Sequence, residues 1–96
     1  MDYALEFTRQ YLKDLKLARK RNLNENDLNE VIRKLIKGEE LPAKNKDHCL
    51  HGNFEGLREC HINPDWLLIY SRNRVLEIVC LVRTGSHSDL FGKNRK

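Results

Sequence analysis

Hydrophobic spacing at the start of the chain predicts a short strand and then a helix. Tyr3, Leu5 and Phe7 alternate with Ala and Glu, which is the period-two pattern of a half-buried strand. Thr8 can cap a helix with its hydroxyl, and the apolar positions after it recur at intervals of three and four. We therefore predict a strand that ends near Phe7 and an amphipathic helix that runs to about Arg21.

A second helix gives the clearest helical signal in the chain. Its apolar positions follow the spacing i, i+3, i+4, i+7 and i+8 and are Leu28, Val31, Ile32, Leu35 and Ile36. Asn24 can cap its start and Gly38 is a natural stop. Because each of the two helices has one apolar face, we predict an antiparallel helical hairpin that packs through those faces.

The second half of the chain changes to patterns typical of loops and strands. Residues 39–56 are polar and punctuated by Pro and Gly, which predicts a long loop without regular structure. Three strands are then predicted at 57–62, 66–70 and 75–82, with turns at 63–65 and 72–74. Short consecutive turns make an antiparallel meander. We therefore predict one α+β domain over residues 1–96, with the opening strand and the hairpin packed on a small antiparallel sheet.

Composition places the chain among globular proteins and favours a negatively charged partner. Its 96 residues are 40% hydrophobic and 33% charged, which argues against disorder, and no apolar run is long enough to span a membrane. The charged N-terminus lacks a signal-peptide core, so we expect a cytoplasmic protein. Lys and Arg outnumber Asp and Glu by 18 to 14, which favours a polyanion as partner. The three cysteines suit free thiols, with Cys60 and Cys80 expected in the core.

All four histidines and an arginine at a strand end lie between residues 48 and 87. They are His48, His51, His61, His87 and Arg83. A metal-free ribonuclease needs a base for the ribose 2′-OH, an acid for the leaving 5′-oxygen and a cation over the phosphoryl oxygens. Histidine titrates near neutral pH, and the Arg fork matches two phosphate oxygens. These residues therefore point to RNA cleavage, and Trp66 and Phe91 can stack on unpaired bases.

Each assignment has a structural alternative. His51 fits a solvated loop residue, Trp66 fits the core, and Asp65 after a proline fits a turn. A zinc site is a second chemical hypothesis, since histidines and cysteines cluster here. The segment has no Cys-x-x-Cys pair, however, and adjacent strand residues such as Cys60 and His61 point to opposite faces. We therefore expect neither a metal nor another cofactor.

A glycine separates the candidate cation from one candidate acid. Gly85 lies between Arg83 and His87, and glycine can take the positive φ that would turn the chain back at a strand end. We therefore expect the side chains of Arg83 and His87 to reach one phosphate from different sides.

Several separated motifs, in this order and at these intervals, resemble one family. They are Lys46-Asp47-His48, Arg58-Glu59-Cys60-His61, Pro64-Asp65-Trp66, and Arg83-Thr84-Gly85-Ser86-His87 with Leu90-Phe91. Together they are similar to the YafQ branch of the RelE toxin superfamily. The helical hairpin before them also resembles that family, so the resemblance covers nearly the whole chain.

The resemblance implies a RelE-like microbial ribonuclease fold and a bacterial type II toxin. Such a toxin is a ribosome-dependent endoribonuclease that cuts mRNA in the A site and is held inactive, in an oligomer, by a cognate acidic antitoxin. The positions that match the family's acid, base and supporting groups are His48, His61, Asp65 and His87. Arg83 matches the cation that stabilises the transition state, Phe91 the residue that orients RNA, and Trp66 an aromatic beside the site. Lys46 and Arg58 are expected to contact RNA from the surrounding basic face.

Two other functions are compatible with the predicted fold. ParE-like toxins share it but bind gyrase and are not nucleases, and a non-catalytic RNA-binding protein would need only the basic surface. Neither explains the histidine cluster of His48, His61 and His87, which favours the nuclease. The sequence leaves open which histidine is the base, which is the acid, and what codon preference the toxin has.

Overall fold

Five strands and three α-helices make up residues 2–92, the part of the chain that the computed structural model describes. In chain order they are β1 (Ala4–Phe7), α1 (Arg9–Lys20), α2 (Glu25–Ile36), β2 (His48–Cys49), β3 (Arg58–Asn63), β4 (Trp66–Asn73), β5 (Ile78–Gly85) and α3 (His87–Phe91). This confirms the predicted α+β class, the opening strand and the helical hairpin. The predicted basic tail at 93–96 lies outside the described residues.

Both helices of the hairpin begin at their predicted caps. The Thr8 hydroxyl accepts a hydrogen bond of 2.9 Å from the backbone N–H of Tyr11, and the Asn24 side chain accepts one of 2.9 Å from that of Asn26. Gly38 follows the end of α2 with φ 76°, a left-handed conformation that costs glycine little. Local chemistry therefore sets these boundaries, which is why the sequence predicts them well.

The sheet has the strand order β1-β5-β4-β3-β2. The pairs β3–β4 and β4–β5 are antiparallel and form the predicted meander. β1 instead pairs with β5 in parallel, so the sheet is mixed and not wholly antiparallel as predicted. Parallel neighbours need a long crossover connection, and here the hairpin and the whole meander supply it.

The turn between β4 and β5 lies later than predicted. Residues 72–74 were expected to turn, whereas β4 runs to Asn73 and β5 begins only at Ile78. The Asn73 side chain accepts hydrogen bonds from the N–H groups of Val75 and Leu76, at 3.0 and 2.8 Å, and so holds the turn. Val75 is 91% exposed. An apolar pair that looks like the start of a strand is therefore the tip of the turn.

The segment from 39 to 56 is more structured than predicted. It contains two 3₁₀ turns, Ala43–Asn45 and Gly52–Phe54, and between them β2, which pairs with β3. In that pairing His48 lies opposite Glu59. A candidate site residue expected in a loop therefore lies on the edge of the sheet.

The sheet has a hydrophobic core on each face. The larger one joins it to α1 and α2 and contains Tyr11, Leu28, Leu35, Cys60, Trp66, Leu68, Tyr70, Val79 and Leu81, among others. The smaller one is built on Leu67, Ile69 and Leu90, with Leu50, Phe54, Leu57, Val82 and Phe91 against them. It fixes α3 and the segment before β3 to the other face of the sheet. Cys60 is buried as predicted, but Cys80 only partly.

No helix among residues 2–92 combines the length and the apolar character needed to cross a lipid bilayer.

Candidate functional site

Two of the predicted histidines meet where α3 lies over the sheet. The ring centroids of His61 on β3 and His87 on α3 are 5.8 Å apart, and the rings meet edge to face. His87 Nδ1 lies 3.7 Å from Asp65 Oδ1, at the turn between β3 and β4. The Phe91 ring is 6.4 Å from His87 and 5.7 Å from Phe54. The structure therefore brings four of the predicted site residues together, with Phe54 as an aromatic neighbour.

His48 extends this cluster along the same face of the sheet. It lies opposite Glu59 on β3, and His61 follows Glu59 by two residues. Residues two apart on a strand share a face, so His48 and His61 are diagonal neighbours at about 7–8 Å. His48 Nδ1 is 2.7 Å from the carbonyl oxygen of Lys46, and its Nε2 is 3.3 Å from Glu59 Oε1. Three histidines therefore line one surface, with His87 and His48 on either side of His61.

Asp89 sets the position of α3. Its N–H donates to Ser86 Oγ at 3.1 Å, and its carboxylate accepts from the Ser86 N–H at 2.9 Å, which makes a capping box. Arg21, just after α1, donates to both carboxylate oxygens at 2.7 and 3.3 Å. A five-residue helix has little stability of its own, so these bonds fix the helix that carries His87.

Gly85 has a different role from the one predicted. It lies within β5 and does not have a positive φ. A Cβ at this position would come within 2.9 Å of Asp89 Cβ. The glycine therefore allows α3 to approach the strand end closely, and the Ser86 cap, not Gly85, turns the chain.

Because of the Arg21–Asp89 pair, the stability of the fold should vary with pH in the acid range. Hydrogen bonds from Arg21 and Ser86 outweigh burial and lower the pKa of Asp89 to about 2, from its ordinary value of 3.8. A carboxylate whose pKa is lower in the folded than in the unfolded chain stabilises the fold at pH values above the unfolded pKa. This contribution is lost as the pH falls through the pKa of the folded state. We expect the free energy of unfolding to fall less between pH 4 and pH 2 in Asp89→Asn than in the wild type.

Urea unfolding at a series of pH values measures this difference. Glu40→Gln is the matched control, because Glu40 is exposed and its contact with Arg74 is long, at 3.7 Å. The control should keep the wild-type dependence on pH. If the stability of Asp89→Asn depended on pH as that of the wild type does, Asp89 would not be a source of this pH dependence.

Arg83 points toward α1. Its Nε and Nη2 donate to the two carboxylate oxygens of Asp14, both at 3.0 Å, and the Thr84 N–H donates to the same carboxylate at 3.1 Å. Arg83 lines a cavity of about 150 Å³ between α1, β5 and α3, together with Arg21 and Asp89. We expected Arg83 and His87 to reach one phosphate together. In this structure Arg83 is not already positioned to do so, because Asp14 holds one edge of its guanidinium.

Trp66 belongs to the core, against the prediction of an RNA contact. Its side chain is 1% exposed, and its Nε1–H donates to Thr84 Oγ1 at 2.9 Å. The Thr84 hydroxyl in turn donates to the carbonyl oxygen of Leu67 at 2.7 Å. A buried ring offers no face for a base, so the structure favours the core as the place of Trp66.

The two basic residues predicted to contact RNA lie in different places. Lys46 is exposed beside His48 and has a φ of 48°. Arg58 lies on the opposite face of β3 from Glu59 and donates to Asp47 Oδ1 at 3.1 Å and to Cys49 Sγ at 2.9 Å. Lys46 therefore remains a candidate contact at the histidine surface, whereas Arg58 faces away from it.

Comparison with known proteins gives the family. A family model described as bacterial toxin of type II toxin-antitoxin system, YafQ, matches residues 3–92. The chain belongs to the YafQ family. The mRNA interferase toxin YafQ of Escherichia coli K12 is 43% identical over 89 residues, which are 92% of this chain and 95% of the relative.

Solved structures of YafQ-family toxins share the fold. YafQ from E. coli strain BL21(DE3) has a TM-score of 0.88 and 38% identity, covering 94% of this chain and 99% of that one. The toxin in the E. coli DinJ-YafQ toxin-antitoxin complex has a TM-score of 0.87 and 41% identity, covering 96% of this chain and 100% of that one. These matches confirm the family resemblance and the predicted fold.

Two acids of this YafQ-family chain bear on the site and were missed as site residues. Asp14 holds Arg83 from 69 residues away, and no local pattern signals that contact. Glu59 lies close to His48, and here a signal existed, since residues two apart on a strand, such as Glu59 and His61, share a face. Within residues 2–92, no group of three or more His, Cys, Asp and Glu side chains is arranged to hold a metal ion.

Proposed function

We propose that this YafQ-family toxin is an mRNA interferase that cuts messenger RNA in the ribosomal A site without a metal. The observation that carries the proposal is the row of three histidines on one face of the sheet, with Asp65 beside His87. Curated relatives of similar length are named mRNA interferases, which supports the same chemistry here.

The reaction is a transesterification within the RNA. The ribose 2′-oxygen bonds to phosphorus as a base removes its proton, and the bond to the 5′-oxygen breaks as an acid protonates that oxygen. The Asp65 carboxylate, 3.7 Å from Nδ1 of His87, supports this side of the imidazole electrostatically, which leaves Nε2 for proton transfer. For the second transfer, the candidate base is His48 with help from Asp65 or His61. His61 lies beside the His87 ring, and His48 is on the same face of the sheet. The products are a 2′,3′-cyclic phosphate, which can open to a 3′-phosphate, and a 5′-hydroxyl.

The remaining predicted residues assist by charge and stacking. Arg83 stabilises the phosphoryl oxygens, either with the guanidinium edge that Asp14 leaves open or after release from Asp14. Phe91, beside His87, orients a base, and Lys46 attracts the RNA backbone. A gyrase-binding toxin has no need for proton-transfer groups in this arrangement, which favours the nuclease over that alternative.

A cognate acidic antitoxin is the proposed partner that keeps the toxin inactive. The chain carries a net charge of +4, and an acidic segment over the histidine surface would compete with RNA for it. The E. coli relative has been solved in complex with its antitoxin DinJ, which supports a toxin-antitoxin oligomer here as well. The toxin would act in the cytoplasm, where ribosomes translate.

Cleavage of a defined message on programmed ribosomes tests the proposal. We expect cuts at the A-site codon, full activity in EDTA, and much slower cleavage of naked RNA, because the ribosome can hold the message in the in-line geometry. The 5′-hydroxyl and the cyclic phosphate are checked by end labelling. Activity that is lost in EDTA and restored by zinc or magnesium would contradict the metal-free mechanism. Equal cleavage rates on naked RNA and on ribosomes would contradict ribosome dependence.

A further inference from the structure

Arg83 begins on the same face of the sheet as the histidines. It lies opposite Ile69 on β4, and Ile69 lies opposite Glu59 on β3. Directly opposite residues of neighbouring strands share a face, and Glu59 shares its face with His61, two residues along the same strand. Ile69 also belongs to the smaller hydrophobic core, which α3 covers. The Cα–Cβ bond of Arg83 therefore points toward the histidine surface.

The guanidinium of Arg83 nevertheless ends at the other face of the sheet. α1 packs on the larger core, and its Asp14 accepts hydrogen bonds from Nε and Nη2 of Arg83, both at 3.0 Å. The side chain can pass around β5 because the pairing with β1 ends at Leu81, so no strand within residues 2–92 covers this edge at Arg83. Asp14 thus draws the cation away from the face that carries the histidines.

Asp14 keeps other partners if Arg83 leaves it. Its Oδ2 also accepts from the Thr84 N–H at 3.1 Å, and its Oδ1 accepts from Nε2 of Gln10 at 3.0 Å. A carboxylate that retains two donors is not left unsatisfied, so releasing the cation costs little more than the ion pair itself. The Arg83 side chain is 28% exposed, so an incoming phosphate can reach it. The contact is therefore suited to exchange.

We propose that Asp14 withholds Arg83 from the histidine surface until a phosphate of the bound message takes its place. This inference rests on the proposed function and deepens it, because Arg83 then acts only after its release from Asp14. A phosphate offers the guanidinium two oxygens, as a carboxylate does, so one pair of charge-assisted hydrogen bonds replaces another. The toxin without RNA accordingly lacks its cation at the site, and Asp14 sets the cost of bringing it there.

Cleavage by Asp14→Asn tests this exchange. The amide keeps the shape and can still accept from the Thr84 N–H, but it has no charge to hold the guanidinium. We expect single-turnover cleavage of message on ribosomes to be roughly 2- to 5-fold faster than in the wild type, the scale of a partly exposed ion pair. In an Arg83→Gln background the same substitution should change nothing, because no cation remains to be released.

Glu6→Gln is the matched control for Asp14→Asn. Glu6 is an exposed acid on β1, so the control makes the same change in net charge away from Arg83. It should cut at the wild-type rate. An unchanged or lower rate in folded Asp14→Asn, or a gain that persists in the Arg83→Gln background, would overturn the proposal.

¹⁵N NMR of the arginine Nε–H groups tests the exchange in the wild-type chain, without cleavage. The probe is a short single-stranded DNA, which carries phosphates but has no 2′-OH to attack. We expect the Nε–H of Arg83 to exchange slowly with water before the DNA is added and its signal to shift as the DNA saturates the protein. A signal that stays unchanged at saturation would overturn the proposal, whether or not the protein cuts RNA. A wild-type chain that cuts no message on ribosomes would defeat the proposed function alone.

Discussion

The His87→Ala variant should cut message on ribosomes roughly 10²-fold or more slowly than the wild type, the usual scale for losing an acid or base. His87 is the point where the site residues meet, since it touches the His61 ring, the Asp65 carboxylate and the Phe91 ring. Its side chain is 57% exposed, so its removal should cost the fold little. Single-turnover cleavage of a defined message is the measurement.

His51→Ala is the matched control for His87→Ala. His51 is also an exposed histidine, but its pairing is with Glu55 in the segment before β3, outside the cluster. The control should cut at nearly the wild-type rate. If His87→Ala folds and also cuts at that rate, the active site lies elsewhere.

Trp66→Ala should lower the free energy of unfolding by about 3–5 kcal/mol, the range for removing a large buried aromatic ring. The ring fills the core between the hairpin and the sheet, and its N–H is bonded to Thr84. Trp66→Phe keeps most of the volume and loses only that bond, so it should cost less, about 1–2 kcal/mol. Urea unfolding gives both values.

Cleavage by Trp66→Phe separates a core residue from an RNA contact. If Trp66 acts only in the core, the folded variant should cut at close to the wild-type rate. A variant that keeps its stability but loses cleavage would instead restore Trp66 as a contact with the RNA.

The sequence predicts best those features that local chemistry determines. Thr8 and Asn24 cap the helices as expected, because a cap depends on residues two or three positions away. The histidine cluster was also predicted, since these side chains occur where packing does not require them. The turn after β4 was misplaced because Val75 and Leu76 look like a strand, and only the Asn73 side chain decides the matter.

Features that depend on register or on distant contacts could not be predicted. The pairing of β2 with β3 brings His48 to Glu59, and no pattern in a two-residue strand specifies that register. The contact of Asp14 with Arg83 joins residues 69 positions apart. The burial of Trp66 likewise depends on how the hairpin lies over the sheet, which no local pattern specifies.

Because β2 is only two residues long, the backbone is held less firmly at His48 than at His61. His61 lies on β3, where it is paired with Leu67 of β4 and its carbonyl oxygen accepts a hydrogen bond of 2.7 Å from the Asn45 side chain, so its backbone is held on both sides. His48 lies on an edge strand held by one short pairing, and edges of this kind open locally at a small fraction of the free energy of global unfolding. Local opening of β2 would move His48 while His61 stays fixed. In the proposed reaction, one side of the surface can therefore adjust to the message while the other keeps its position.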